Sequence, residues 1–138
     1  MQRKIIITAA VFGMLSVIIG AWAAHGIQNF IPDSDVLKSN KISSFKTGVR
    51  YQFFHTILIL ILGIIPKDKF TKHLNLAFLF TVIGVVLFSG SIYLLALKSQ
   101  IGLNYFGKVL GPITPIGGLT LILAWAMLLL YGLKMKKD

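Results

Sequence analysis

Apolar residues in this chain come in unbroken runs, not in alternation. Residues 5–24, 74–97 and 113–133 carry no charged side chain, and residues 49–65 carry only Arg50, with His55 five places further on. Crossing about 30 Å of hydrocarbon takes roughly 20 mostly apolar residues, and each run is long enough to do so. Backbone groups in lipid must be paired within the segment or around a closed barrel. Runs without period-two alternation exclude barrel strands and predict helices. The pattern therefore predicts an all-α fold: one integral membrane domain over residues 1–138, a bundle of four transmembrane helices.

Two stretches between the runs modify this picture. After the turn signal Pro32-Asp33-Ser34-Asp35, residues 36–50 can form a helix, with Ser34 or Asp35 able to cap its start. Leu37, Ile42, Phe45 and Val49 fall on one face, with Lys38, Lys41 and Lys46 mostly elsewhere. That predicts an interfacial helix on the outer leaflet, leading into the second span. The stretch holding Gly102, Gly107, Gly111 and Pro112 is expected to be irregular, even re-entrant. The first run, with Arg3-Lys4 before it and Ala21-Trp22-Ala23 at its end, has the outline of a cleaved signal. Its apolar length exceeds the roughly 7–15 residues of a signal core, so it reads as the first span.

Composition agrees and narrows the function classes. Hydrophobic residues make up 56% of the chain and charged residues 13%, against about 25% charged in a soluble domain. This excludes a soluble globular protein, and the apolar content excludes a disordered one. Without cysteine there is no disulfide, thiolate metal site or iron–sulfur cluster. The net charge of +10 lies between apolar runs, so it reads as membrane topology and gives no reason to expect a nucleic-acid partner. Arg3 and Lys4, Lys67, Lys69 and Lys72, and Lys134, Lys136 and Lys137 cluster in short segments on one side of the predicted membrane. Lys38, Lys41, Lys46, Lys98 and Lys108 are spread over two longer loops on the other. The denser side predicts that both termini are cytoplasmic.

Helices in lipid associate through small residues and interhelical hydrogen bonds. Gly13, Ser16 and Gly20 form such a face on the first span, Gly84 and Gly90 offer contacts on the third, and Gly117 and Gly118 on the fourth. These predict tight packing, within one bundle or between copies.

Ionisable and polar groups at membrane depth are costly and need a reason. Threaded through the topology, His25, Arg50, Tyr51, Gln52, His55, Ser89, Ser91, Tyr93 and Thr114 map to the extracytoplasmic half. They predict a shared polar layer fed by all four helices, a candidate ligand-binding site. Two histidines without a neighbouring acid or thiol do not make a metal site, and no cofactor is implied. A proton relay through His25 and His55 would lack the carboxylate usual in pumps. No nucleophile elbow or phosphate-binding glycine loop is present, and no catalytic residue can be named.

At these residues the chain resembles a known family. The blocks are Gly20-Ala21-Trp22-Ala23-Ala24-His25-Gly26, Phe45 through His55, Leu87 through Tyr93, and Gly111 through Trp125. Together they resemble the small membrane proteins called domain of unknown function 423, similar to the transmembrane protein 256 group. Trp22-Ala23 stands where the pattern has Phe-Gly. The resemblance implies a four-helix protein of the bacterial inner membrane and no established activity. The expected function is non-enzymatic: a structural, accessory or lipid-binding membrane protein, with membrane lipids, a membrane protein or a second copy as partners. The alternative is a small transporter or channel using the polar layer.

Overall fold

A computed structural model describes residues 2–32 and 34–135; Asp33 of the turn signal and Lys136 and Lys137 of the basic tail lie outside the described residues. The described chain is helical, with α1 (Gln2–His25), a single turn α2 (Ile27–Phe30), α3 (Lys38–Ile64), α4 (Lys72–Leu97) and α5 (Gly107–Leu133). One-turn 3₁₀ segments at Lys67–Lys69 and Asn104–Phe106 join α3 to α4 and α4 to α5. All four long helices are long and apolar enough to cross a membrane.

The helices run antiparallel. α1 packs on α3, α3 on α4, and α4 most extensively on α5. One end, here the terminal end, gathers the start of α1, the α3–α4 turn and the end of α5. There the Gln2 side chain donates to the Ile65 carbonyl, and the Lys134 ammonium donates to His73 Nε2 at 3.2 Å. The opposite, distal end carries the α1–α3 and α4–α5 connections.

Two clusters fill the interior. Near the terminal end Ile5, Ala9, Ile59, Leu62, Leu74 and Ala77 are buried together, with Met127 and Leu128 of α5 against them. Toward the distal end Ala23, Ile27, Ile31, Phe45 and Ala96 form the second cluster. The connection between α1 and α3 is thus pinned, not loose, because Ile27 and Ile31 are fully buried within it.

The structure corrects three expectations. No separate interfacial helix forms: residues 38–48 continue straight into the second span, because Phe45 packs inside the bundle between Trp22 and Tyr93. Nor is the stretch before the fourth span re-entrant. It turns at Gly102, whose φ of 72° suits glycine. Helix α5 then begins at Gly107, with Pro112 and Pro115 inside it. The third concerns Gly90, where a side chain would meet nothing within 4 Å, so it marks no helix contact.

The other small residues lie in seams. A methyl on Gly117 would fall on α4 backbone, touching the Phe88 nitrogen and lying 2.8 Å from the Leu87 carbonyl carbon. One on Gly84 would come within 3.0 Å of the Leu121 nitrogen. These two approaches explain why α4 and α5 form the closest pair. Gly13 and Gly20 face Thr56 and Val49 at ordinary to tight distances, while Gly118 faces the Phe88 ring.

Candidate functional site

Helix α3 organises the polar layer. Its buried positions are Phe45, Gly48, Gln52, His55, Thr56, Leu58, Ile59, Leu62 and Gly63, mostly at steps of three and four. That spacing defines one inward face, polar in the middle and apolar toward the terminal end.

Gln52 is the central tie. Its amide nitrogen donates to the Phe12 carbonyl of α1 at 3.2 Å, and its amide oxygen accepts from the Tyr93 hydroxyl of α4 at 2.8 Å. A backbone carbonyl can only accept, so the amide orientation is fixed by its partners. The Phe12 carbonyl also accepts from Ser16 Oγ at 2.8 Å, within α1. A buried side chain thus joins three helices while leaving none of its ends in hydrocarbon.

Two further ties bind α4 to its neighbours. Ser89 donates to the Gly48 carbonyl of α3 at 2.8 Å. Gly48 permits this approach, since a methyl there would lie 2.8 Å from Tyr93 Cε1. Ser91 donates to the Phe88 carbonyl at 3.0 Å, which leaves its oxygen free to accept from the Thr114 hydroxyl of α5, 2.6 Å away.

The last tie links α3 to α5. Trp125 Nε1 donates to His55 Nε2 at 3.3 Å, and His55 Nδ1 lies 2.8 Å from the Tyr51 carbonyl. An indole N–H only donates, so Nε2 accepts and Nδ1 carries the proton given to Tyr51. Both ring nitrogens are therefore engaged. The Tyr51 ring stacks on His55 with centroids 6.0 Å apart and leans on Phe88 at 4.7 Å. A cleft of about 240 Å³ opens beside this group, between Tyr51, Phe88, Leu121 and Trp125.

Of the residues named from sequence, Gln52, His55, Ser89 and Ser91 are buried together, with Tyr93 and Thr114 half-buried beside them. Tyr51 sits at the rim. His25 and Arg50 are exposed and do not join the layer. Successive helical residues turn by about 100°, so Arg50 points roughly 200° away from Gln52 and cannot share its face. Sequence reasoning missed Trp125, Thr56 and the carbonyls of Phe12 and Gly48. An indole in the middle of a span, where no interface explains it, is the signal that could have pointed to Trp125.

Chemically the layer is closed. Among the described residues, no buried side-chain nitrogen or oxygen lacks a hydrogen-bond partner, and no group of three or more metal-ligating side chains occurs. Its hydroxyls donate to carbonyls or to each other, and its imidazole is held at both nitrogens. The arrangement cross-links four helices through ties spread along the bundle, from Thr114 to Trp125 on α5.

Comparison with known proteins agrees with the fold. The family model described as protein of unknown function (DUF423) matches residues 19–118. A UPF0382 membrane protein of Staphylococcus aureus is 37% identical, over 96% of this chain and 98% of its own length. A UPF0382 membrane protein of Haemophilus influenzae is 34% identical over 99% of this chain and 98% of its own. The UPF0382 inner membrane protein YgdD of Escherichia coli is 33% identical over 99% and 94%. No solved structure matches.

Proposed function

The chain belongs to the DUF423 family of membrane proteins, whose function is unknown, and we propose that it is a non-enzymatic structural or accessory protein of the inner membrane. In this reading it engages lipid or a membrane partner at its surface and moves no solute. The observation that carries the reading is the closure of the polar layer. A conduit needs polar groups free to exchange partners along a path. Here Gln52, His55, Ser89 and Ser91 are satisfied by neighbouring helices, and an apolar plug of Ile5, Ile59, Leu62 and Leu74 lies below them.

Both termini face the cytoplasm in this reading. Support comes from Arg3, Lys4, Lys67, Lys69, Lys72 and Lys134, which crowd the terminal end in short segments. The name of the Escherichia coli relative supports the inner membrane as the location.

The test is flux. Protein reconstituted into liposomes loaded with a pH-sensitive dye, or with labelled small ions, is expected to leak no faster than empty liposomes. Leakage that His55→Ala abolishes, and a lipid-facing control substitution spares, would establish the transport reading instead. A reporter fused to the C-terminus is expected to be active only in the cytoplasm.

A further inference from the structure

Arg50 and Lys46 fall outside the polar layer, and their surroundings give them a different task. They lie four residues apart on α3, hence on one helix face, in its distal half. Between them and α1 runs a groove of about 240 Å³, lined by Gly20, Ala23, Ala24, Lys46, Val49 and Arg50. Among the described residues, neither cation has a hydrogen-bond or ion-pair partner. Of the described carboxylates, Asp35 is taken by Lys41, and Asp68 lies in the α3–α4 turn at the terminal end.

We propose that this groove binds the phosphate of an anionic phospholipid, with Lys46 and Arg50 as its ligands. Charge complementarity argues for it first: two uncompensated cations share one face of α3, where a guanidinium fork fits phosphate oxygens. Volume argues next. At about 240 Å³ and open to the outside, the groove is on the scale of a headgroup and not of a whole lipid with its acyl chains. The surface below supplies a place for those chains. Phe53 and Phe54, three and four residues beyond Arg50, are 45% and 67% exposed, and Val17, one turn below Gly20, is 64% exposed. Cations above an apolar wall match the two ends of a lipid molecule. The small side chains of α1 matter sterically, since even a methyl on Gly20 would come within 3.3 Å of Val49.

This site rests on the reading that the protein acts on lipid at its surface, but the two fail separately. Flux by the wild type overturns that reading and leaves lipid retention standing. The experiment is native mass spectrometry of the full chain released from phosphatidylcholine vesicles with or without phosphatidylglycerol. The wild type is expected to keep phosphatidylglycerol in preference to phosphatidylcholine. Arg50→Gln and Lys46→Gln are each expected to weaken retention about fivefold, and the double variant more than tenfold. Ala24→Leu, which fills the groove without touching charge, is expected to weaken it too. Lys108→Gln removes an exposed cation near the distal end on α5 and is expected to change nothing.

The proposal is overturned if the wild type shows no preference for phosphatidylglycerol, or if Lys108→Gln costs as much as Arg50→Gln. Saturation by inorganic phosphate alone overturns it in favour of a soluble-anion site. Retention confined to dimers overturns it in favour of a second copy as occupant. Arg50 is exposed and Lys46 partly exposed, so helical content by circular dichroism is expected to be unchanged. If Arg50→Gln fails to assemble, Lys46→Gln and Ala24→Leu decide the matter.

Discussion

The two halves of this bundle are held together by different physics. Near the terminal end Ile5, Ile59, Leu62 and Leu74 pack side chain against side chain. In the distal half, beside the apolar cluster around Phe45, Gln52, Ser89, Ser91 and His55 also join helices through hydrogen bonds. In water the apolar half would hold better. In lipid, tails are as apolar as leucine, so apolar contact hardly discriminates a helix from its solvent. Directional bonds and backbone approaches then set which helix neighbours which, and at what height. The apolar half supplies close packing, and the distal half supplies register.

Substituting glycines tests this contrast most strongly. Gly117→Ala drives a methyl into α4 backbone, which cannot yield, and is expected to cost about 3 kcal/mol. Gly63→Ala in the terminal half meets the Ile6 side chain at 2.9 Å, which can change rotamer, and is expected to cost about 1 kcal/mol. Reversible unfolding in mixed micelles measures both. Equal costs would erase the distinction between the halves.

The Gln52 tie comes next in size. Gln52→Leu strands the Tyr93 hydroxyl and is expected to cost about 1.5 kcal/mol, with Tyr93→Phe costing about 0.6 kcal/mol. The two losses should be less than additive in a double-mutant cycle, because both break one bond. Full additivity would show that Gln52 acts through packing alone.

The smallest effect lies outside both halves, at the start of α3. The Lys41 ammonium, helped by the Leu37 N–H at 2.9 Å, holds the Asp35 carboxyl below the usual carboxylate range. A depressed folded value means stability present above the unfolded pKa, near 3.8, and lost as pH falls through the folded one. An acid titration of unfolding is therefore expected to show a slight loss below that range, absent in Asp35→Asn. A loss of equal size in the variant would remove Asp35 from the account.

What was legible in advance follows from how the sequence encodes it. Each apolar run became a helix; α3 starts at Lys38, near the residue 36 expected for the helix leading into the second span, whereas α5 starts at Gly107, not residue 113. Hydropathy marks where lipid begins, while backbone bonding continues through the headgroup layer. Most of the polar layer was visible as depth. Its membership was not: Arg50 shares depth with Gln52 and faces away, and Trp125 entered only through its bond to His55.

The sequence alone determined four helices, their order and a dense basic end, because run length and charge count are one-dimensional quantities that lipid reads directly. Only the tertiary structure decided which polar groups satisfy one another and which are left for lipid. A hydrogen bond depends on the angle around a helix and on the distance between helices. Backbone approaches at Gly84 and Gly117, not hydropathy, set that distance.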